Sequence, residues 1–185
     1  MRKIMLTSTG LGSKPLSDAF CGLFDEPMLK LNALFIPTAA IRPDAIAVLP
    51  FCMKDLQDVG IPDESIMVFD LHRSMTVEEL CAFDVVYFTG GSSEYLLERL
   101  NATGFGAVLG EWLDRGGVYF GVSAGSIVAA NNLPGNLGLL DCALGVHTAV
   151  GSACGAVDIA AASRIDLADG QAVLIRGNVA EIIGG

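Results

Sequence analysis

One serine in the chain has neighbours that could make it a nucleophile. The sequence from Gly121 to Gly125 reads G-V-S-A-G, and it stands where an apolar strand would run directly into a helix. Such a turn presents one serine oxygen at the end of a sheet, and its glycines leave room for the crowded backbone. The 22 glycines among 185 residues also allow a simpler interpretation, a loose strand end carrying an ordinary serine. The nucleophile hypothesis for Ser123 therefore requires a base.

Histidine is the usual base for a serine nucleophile, because its pKa lies near the working pH. The chain has two histidines. His72 precedes the G-x-S-x-G sequence, just past a predicted strand, and its setting favours a solvated loop. His147 lies 24 residues after Ser123, at the end of a short apolar segment that a strand could return to the turn. We therefore predict that His147 is the base.

The base needs a third group that holds its tautomer and stabilises the imidazolium. The residues alone leave four acids open for this role. Asp158, Asp166 and Asp169 follow His147, and Asp141 lies between it and the serine.

Catalysis by Ser123 would also need backbone donors where the oxyanion develops. The N–H of Ala124, next to the serine, is one predicted donor. Gly91, in the pair Gly90-Gly91 after another predicted strand, is the second. The glycine pair could instead serve only to start a helix close to the sheet.

Strands and helices alternate along the part of the chain that must position these residues. Apolar and β-branched segments predict strands at 3–9, 31–38, 65–70 and 84–89, followed by the strand before Ser123. Helical spacing predicts helices between them, one broken at Pro50, and Thr76 with Glu79 forms a capping box. This alternation predicts a three-layer α/β fold with an open, mostly parallel sheet and helices on both faces.

The pattern weakens after Pro134. A short strand at 143–147, a poor helix at 155–163 and a β-hairpin at 172–183, turning at Gly177-Asn178, are predicted there. The length fits one domain, residues 1–185.

Charge and hydropathy limit the partners of the chain. The net charge of −10 repels phosphate backbones and anionic lipids, so we expect neither a nucleic acid nor a membrane partner. Mean hydropathy is high, at +0.54. The uncharged segment 116–140 is nevertheless interrupted by glycine, serine and asparagine too often to form a membrane helix. The chain opens on a strand rather than a leader, which predicts a cytoplasmic protein.

No cofactor or metal is expected from the sequence. Five scattered cysteines include no C-x-x-C pair, which favours reduced, buried thiols over zinc ligands. Gly10, Gly12 and Lys14 have the wrong spacing for a phosphate-binding loop.

Five segments together resemble peptidase E, the aspartyl dipeptidase family. They are TSTGL (7–11), YFTGGSSEYLLERL (87–100), GGVYFGVSAGSIV (116–128), GLLD with GVH (138–147) and LADGQAVLI (167–175). The resemblance implies a fold akin to class I glutamine amidotransferases, which carry cysteine in place of Ser123. It also implies Ser123 as nucleophile, His147 as base and Asp169, in an acid-glycine pair, as the orienting acid. The implied activity is removal of N-terminal Asp from short peptides through an acyl-enzyme.

The chain departs from this family where the substrate would be selected. The loop at 131–141 is short and leaves Asp141 as a weak stand-in for a second acid. The segment after His147 is small and apolar, and its first arginine is Arg164. We therefore expect a serine hydrolase of short peptides or small amides. We assign no substrate-binding residues, and the oligomeric state, monomer or homodimer, stays open. The alternative is a degenerate member that binds a small ligand or partner without turnover. An ester-cleaving α/β-hydrolase fits less well, because its order of Ser, acid and His would require Asp141.

Overall fold

A computed structural model describes all 185 residues, which form ten strands and seven α-helices. The strands are β1 (Lys3–Thr7), β2 (Ala33–Ile36), β3 (Ile66–Val68), β4 (Val85–Phe88), β5 (Val118–Val122), β6 (Ala143–Gly145), β7 (Gly155–Val157), β8 (Arg164–Asp166), β9 (Gln171–Arg176) and β10 (Val179–Gly184). The helices are α1 (Lys14–Cys21), α2 (Pro43–Ala47), α3 (Leu49–Asp58), α4 (Val77–Leu80), α5 (Ser93–Thr103), α6 (Phe105–Asp114) and α7 (Ala124–Ala129). None of these helices is long and apolar enough to span a membrane.

Eight of the strands form one sheet, in the order β3-β2-β4-β5-β1-β9-β10-β7. The first five are parallel, and the last three extend the sheet with antiparallel pairs. The two strands of the C-terminal hairpin, β9 and β10, turn at Gly177-Asn178. The prediction of an open, mostly parallel α/β sheet is confirmed.

Both faces of the sheet carry a hydrophobic core. One core of 32 buried residues lies under α4, α5, α6 and α7, and one of 17 lies under α1 and α3. Every residue of β2, β4 and β5 is buried, because a central strand is covered on both faces. This explains why these strands are continuous apolar runs in the sequence.

The helix signals of the sequence have physical counterparts in the structure. The predicted break near Pro50 is the junction at Val48, where α2 ends and α3 begins. At the start of α4, Thr76 Oγ1 accepts from the N–H of Glu79 at 3.2 Å, and a carboxylate oxygen of Glu79 accepts from the N–H of Thr76 at 2.7 Å. These contacts are the predicted capping box.

The predicted helix at 155–163 is wrong. Residues 155–157 are strand β7, which pairs with β10 at the edge of the sheet, and 159–161 form a turn. Strand β8 was not predicted. It pairs in parallel with β6 to form a separate two-stranded sheet. Small residues give this region little intrinsic preference, so strand pairing decides its structure.

Candidate active site

Ser123 is held in a strained turn between β5 and α7. Its φ of 48° and ψ of −103° lie outside the regions that a serine prefers. The N–H of Ser123 donates to the carbonyl of Thr7 at 3.0 Å, and the hydroxyl of Ser126 donates to the same carbonyl at 2.8 Å. Such backbone conformations persist only where the surrounding structure enforces them, and they cluster at functional sites.

The two glycines of the G-x-S-x-G sequence are required by close packing. A Cβ on Gly121 would lie 2.7 Å from the carbonyl group of Gly125, and a Cβ on Gly125 would lie 2.6 Å from Phe88 Cβ. Both distances are too short for real side chains. The glycines therefore let α7 begin directly against β4 and β5, and this placement forces Ser123 into its turn.

His147 and Asp169 complete a chain of hydrogen bonds that begins at Ser123. His147 Nε2 lies 3.0 Å from Ser123 Oγ, and His147 Nδ1 lies 2.8 Å from Asp169 Oδ1. The hydrogen bond to His147 is the main cause that lowers the pKa of Asp169, followed by one from Ser8. The structure thus brings together the three residues that the sequence predicts.

The two-stranded sheet explains how His147 meets Asp169. Strands β6 and β8 run in parallel, and the ladder continues past them, since the N–H of Thr148 donates to the carbonyl of Leu167 at 3.2 Å. His147 lies two residues beyond β6, and Asp169 lies three residues beyond β8. Because parallel strands end at the same edge, the two side chains emerge side by side.

Ser8 is a site residue that the sequence did not single out. Its fully buried hydroxyl accepts from the N–H of His147 at 2.8 Å and donates to Asp169 Oδ1 at 2.9 Å. His147 has a φ of 55°, which is uncommon for a residue other than glycine, and the hydrogen bond from its N–H to Ser8 holds it there. The available signal was position, because Ser8 follows β1, whose end lies beside that of β5.

The other candidate acids and the second histidine lie elsewhere. Asp141 and Asp158 line a separate cavity of about 670 Å³, and neither forms a hydrogen bond with His147. Asp166 pairs with Arg164 at 2.8 Å. His72 pairs with Asp70 at 3.1 Å.

The turn at Gly90-Gly91 lies against Ser123. A Cβ on Gly90 would be 3.3 Å from the Cβ of Ser123, and one on Gly91 would be 2.0 Å from the carbonyl oxygen of Ala39. The N–H of Gly91 has no acceptor within the protein. Ala124 is the first residue of α7, so its N–H is among the four that no helix can satisfy internally. Neither amide donates a hydrogen bond within the protein.

A cleft of about 760 Å³ opens at Ser123 and His147, a size typical of small-molecule sites. One wall comes from the loop after β1, including Ser8 and Thr9. The rest of the lining includes residues of α2, α3 and their junction, among them the exposed apolar side chains of Val48 and Phe51. No group of three or more His, Cys, Asp or Glu side chains is arranged to hold a metal ion.

Comparisons with known proteins find related peptidases. The model of peptidase family S51 matches residues 4–136. Over 133 residues the chain is 26% identical to the uncharacterized peptidase Lmo0363 of Listeria monocytogenes, covering 72% of this chain and 63% of that protein. It is 25% identical over 137 residues to the uncharacterized peptidase PM1590 of Pasteurella multocida, covering 72% of this chain and 62% of that protein. The chain thus spans less than two thirds of these relatives' length.

Solved structures share the fold. A protein assigned to peptidase E from Listeria monocytogenes EGD-e aligns with a TM-score of 0.78 at 19% identity, covering 100% of this chain and 99% of that one. A peptidase from an acI-B1 actinobacterium aligns with a TM-score of 0.70 at 18% identity, covering 100% and 88%. The family match ends before His147 and Asp169, so their assignment depends on the geometry described above.

Proposed function

The chain belongs to peptidase family S51, and from this premise we propose that it is a serine peptidase that cleaves short peptides through an acyl-enzyme on Ser123. The observation that carries the proposal is the chain of hydrogen bonds from Ser123 through His147 to Asp169, at 3.0 and 2.8 Å. A strained serine bonded to a histidine, itself bonded to a carboxylate, is the arrangement that activates a hydroxyl.

The proposed first step is attack of Ser123 Oγ on the carbonyl carbon of the substrate. His147 Nε2 takes the hydroxyl proton, while Asp169 holds the Nδ1–H and stabilises the positive ring. The amides of Gly91 and Ala124 donate to the oxyanion of the tetrahedral intermediate. His147 then gives its proton to the leaving amine, and the acyl-enzyme remains on Ser123.

The second step hydrolyses the acyl-enzyme. A water molecule loses a proton to His147 as its oxygen attacks the acyl carbon, and the proton then returns to Ser123 Oγ as the acid product leaves. Ser8 does not contact the reacting atoms in this scheme. It is a positioning residue that fixes the backbone of His147 and the carboxylate of Asp169.

Removal of N-terminal Asp would require a cation to meet the substrate's side chain, and the two cations that line the cleft are already paired, Arg42 with Asp44 and Lys54 with Asp58. Arg164, the first arginine after His147, pairs with Asp166 and does not line the cleft. We therefore propose a peptidase of short peptides without a requirement for Asp. All five cysteines are free, which favours a reducing compartment such as the cytoplasm.

The alternative is a degenerate protein that binds peptides without turnover. The short loop at 131–141 and the absence of an arginine near the cleft after His147 motivate it. The two functions differ in whether Ser123 is reactive, which can be measured directly.

The test combines peptide turnover with labelling by a serine-directed phosphonate. The wild-type protein is expected to hydrolyse members of a panel of dipeptides and aminoacyl amides and to be labelled on Ser123. Ser123→Ala and His147→Gln should abolish both, whereas His72→Gln, a change at the other histidine, should affect neither. Turnover that survives Ser123→Ala would overturn the mechanism, and an unlabelled wild-type protein would favour the degenerate alternative.

A further inference from the structure

The charges on the cleft wall do not cancel. Five charged residues of the 42–58 segment line the cleft: Arg42, Asp44, Lys54, Asp55 and Asp58. Arg42 pairs with Asp44 at 3.0 Å, and Lys54 pairs with Asp58. Asp55 alone has no cationic group within 4.0 Å. The wall thus offers a ligand one uncompensated negative charge.

The carboxylate of Asp55 is fixed through one of its oxygens. Oδ2 accepts from the hydroxyl of Tyr87 at 2.7 Å and from the N–H of Leu11 at 3.0 Å. Gly10, with a φ of 90°, lets the backbone close over the carboxylate, since a Cβ there would lie 2.3 Å from Oδ2. Oδ1 accepts no hydrogen bond from the protein, and it is not fully buried. An accessible, oriented acceptor therefore remains.

The same loop connects Asp55 to the reactive residues. Gly10 donates its N–H to the side chain of Thr7 at 2.9 Å, and the carbonyl of Thr7 accepts from the N–H of Ser123 at 3.0 Å. Ser8, between them, holds His147 and Asp169. Asp55 and Ser123 are thus both anchored to the end of β1, so the carboxylate has a fixed position relative to the nucleophile.

Burial raises the pKa of Asp55, and the hydrogen bonds from Tyr87 and Leu11 oppose this effect only in part. A partly desolvated carboxylate without a cation is unfavourable when ionised, and a cationic ligand would remove that cost. A purely structural anchor for Leu11 and Tyr87 would need no charge, because an asparagine oxygen could accept both bonds.

We propose that Asp55 binds the α-ammonium group of the peptide substrate, which would make this protein specific for peptides with a free N-terminus. This inference rests on the proposed peptidase function, because it assumes that the peptide lies in the cleft at Ser123. The ammonium group donates to Oδ1, and the carbonyl of the N-terminal residue is then presented to Ser123. A basic side chain carries the same chemistry, so the experiment must separate the two sources of the cation.

Asp55→Asn is the decisive variant because it removes the charge and keeps the size and one acceptor oxygen. The substrates are a free dipeptide amide, its N-acetylated form, and an N-acetylated pair with lysine or norleucine at the first position. For the free peptide, kcat/KM should fall about 10- to 100-fold, the usual range for a lost charge-assisted hydrogen bond. Cleavage of the N-acetylated peptides should not fall. Asp58→Asn, which removes a paired charge from the same wall, should leave the preference for the free N-terminus unchanged.

Three results would overturn the proposal. Equal losses on free and N-acetylated peptides would show that Asp55 has only a structural role. A preference for lysine over norleucine that disappears in Asp55→Asn would assign the cation to a side chain. A wild-type enzyme that cleaves N-acetylated and free peptides equally well would show that the α-ammonium group is not recognised.

Calorimetry on Ser123→Ala separates this proposal from the peptidase function. Free peptides should bind more tightly than N-acetylated peptides, and the double variant Ser123→Ala with Asp55→Asn should lose that difference. If free peptides bind in this way but the phosphonate does not label the wild-type protein, the role of Asp55 is upheld and turnover is rejected. Phosphonate labelling without any preference for a free N-terminus would uphold Ser123 and reject Asp55.

Discussion

The hydroxyl of Ser8 donates to Asp169 Oδ1 at 2.9 Å while it accepts from the N–H of His147 at 2.8 Å. One buried oxygen therefore fixes both the base and the acid relative to β1. Ser8→Ala would leave the N–H of His147 and one lone pair of Asp169 without these partners. We expect kcat to fall about 10- to 100-fold with little change in KM, because small displacements of reacting groups cost this much.

A direct measurement can distinguish positioning from a general loss of structure. The bonds from His147 and then Ser8 lower the pKa of Asp169, so the pKa of Asp169 in Ser8→Ala should rise toward its ordinary value. Carbon-detected NMR of the carboxyl group in both proteins would measure the shift. Ser8→Thr keeps the hydroxyl and should retain the low pKa. An unchanged pKa of Asp169 in Ser8→Ala would contradict the role of this bond.

Asp169→Asn tests which acid orients His147. An asparagine presents either an NH₂ group, which cannot accept from Nδ1–H, or a weaker acceptor, and the wrong tautomer of the base is favoured. A loss in kcat on the order of 10⁴-fold is expected from the behaviour of such variants. Asp141→Asn, at the acid left open by the sequence, should change kcat little, because Asp141 lines a different cavity. The reverse ranking, measured by steady-state kinetics, would exclude Asp169.

The parallel part of the fold and the turn at Ser123 could be predicted from the sequence because local signals specify them. Buried central strands are continuous apolar runs, and Gly121 is required by its close contact with Gly125 within one strand–turn–helix unit. The residue types and their spacing were therefore enough to identify Ser123 as a candidate nucleophile.

The surroundings of Ser123 could not be predicted in the same way. Strand β8 consists of three residues and exists only through its pairing with β6, and this pairing brings His147 to Asp169. Ser8 is one serine among several, and its role depends on contacts with residues 139 and 161 positions away. In the sequence, Asp55 is an ordinary acidic residue of a predicted helix. Only the structure shows that hydrogen bonds from Leu11 and Tyr87 hold its carboxylate in the cleft wall.

Gly91→Ala tests the predicted oxyanion donor. The φ of Gly91 is 140°, and a Cβ would lie 2.0 Å from the carbonyl oxygen of Ala39, so the turn must move and carry the amide away from Ser123. Loss of one oxyanion donor costs on the order of 100-fold in kcat. Gly104→Ala is the matched control, since Gly104 also has a positive φ, of 68°, but nothing lies within 4 Å of its Cβ position.

Gly104→Ala should lower the free energy of unfolding by about 1 kcal/mol, the cost of a left-handed alanine, and leave kcat unchanged. Gly91→Ala should lower both quantities. The comparison requires urea unfolding and steady-state kinetics on the two variants. If Gly91→Ala reduced stability as Gly104→Ala does but kept full kcat, the amide of Gly91 would not be an oxyanion donor.

Asp55 should also make the stability of the protein depend on pH in an unusual direction. Burial raises its pKa in the folded state above the unfolded value of about 3.9. A raised pKa means that the folded state is favoured while the carboxyl is protonated, and this contribution is lost as pH rises through the folded value. The asparagine in Asp55→Asn cannot ionise, so this variant does not lose stability in the same way as the pH rises. Its free energy of unfolding, relative to wild type, should therefore be higher at neutral pH than below about pH 3.9, as measured by urea unfolding at both values.

Asp114→Asn is the control for this pH dependence, because the hydrogen bond from Arg2 lowers the pKa of Asp114, so folding favours its ionised form. Its free energy of unfolding relative to wild type should fall rather than rise as the pH increases. Addition of a free-amine peptide at neutral pH should stabilise the wild type, because the ammonium group compensates the buried charge. The difference in free energy of unfolding between the wild type and Asp55→Asn should therefore become smaller. An N-acetylated peptide should not narrow it. If Asp55→Asn gained no relative stability at neutral pH, the carboxylate would carry no folding cost, and the physical reason for its binding a cation would be removed.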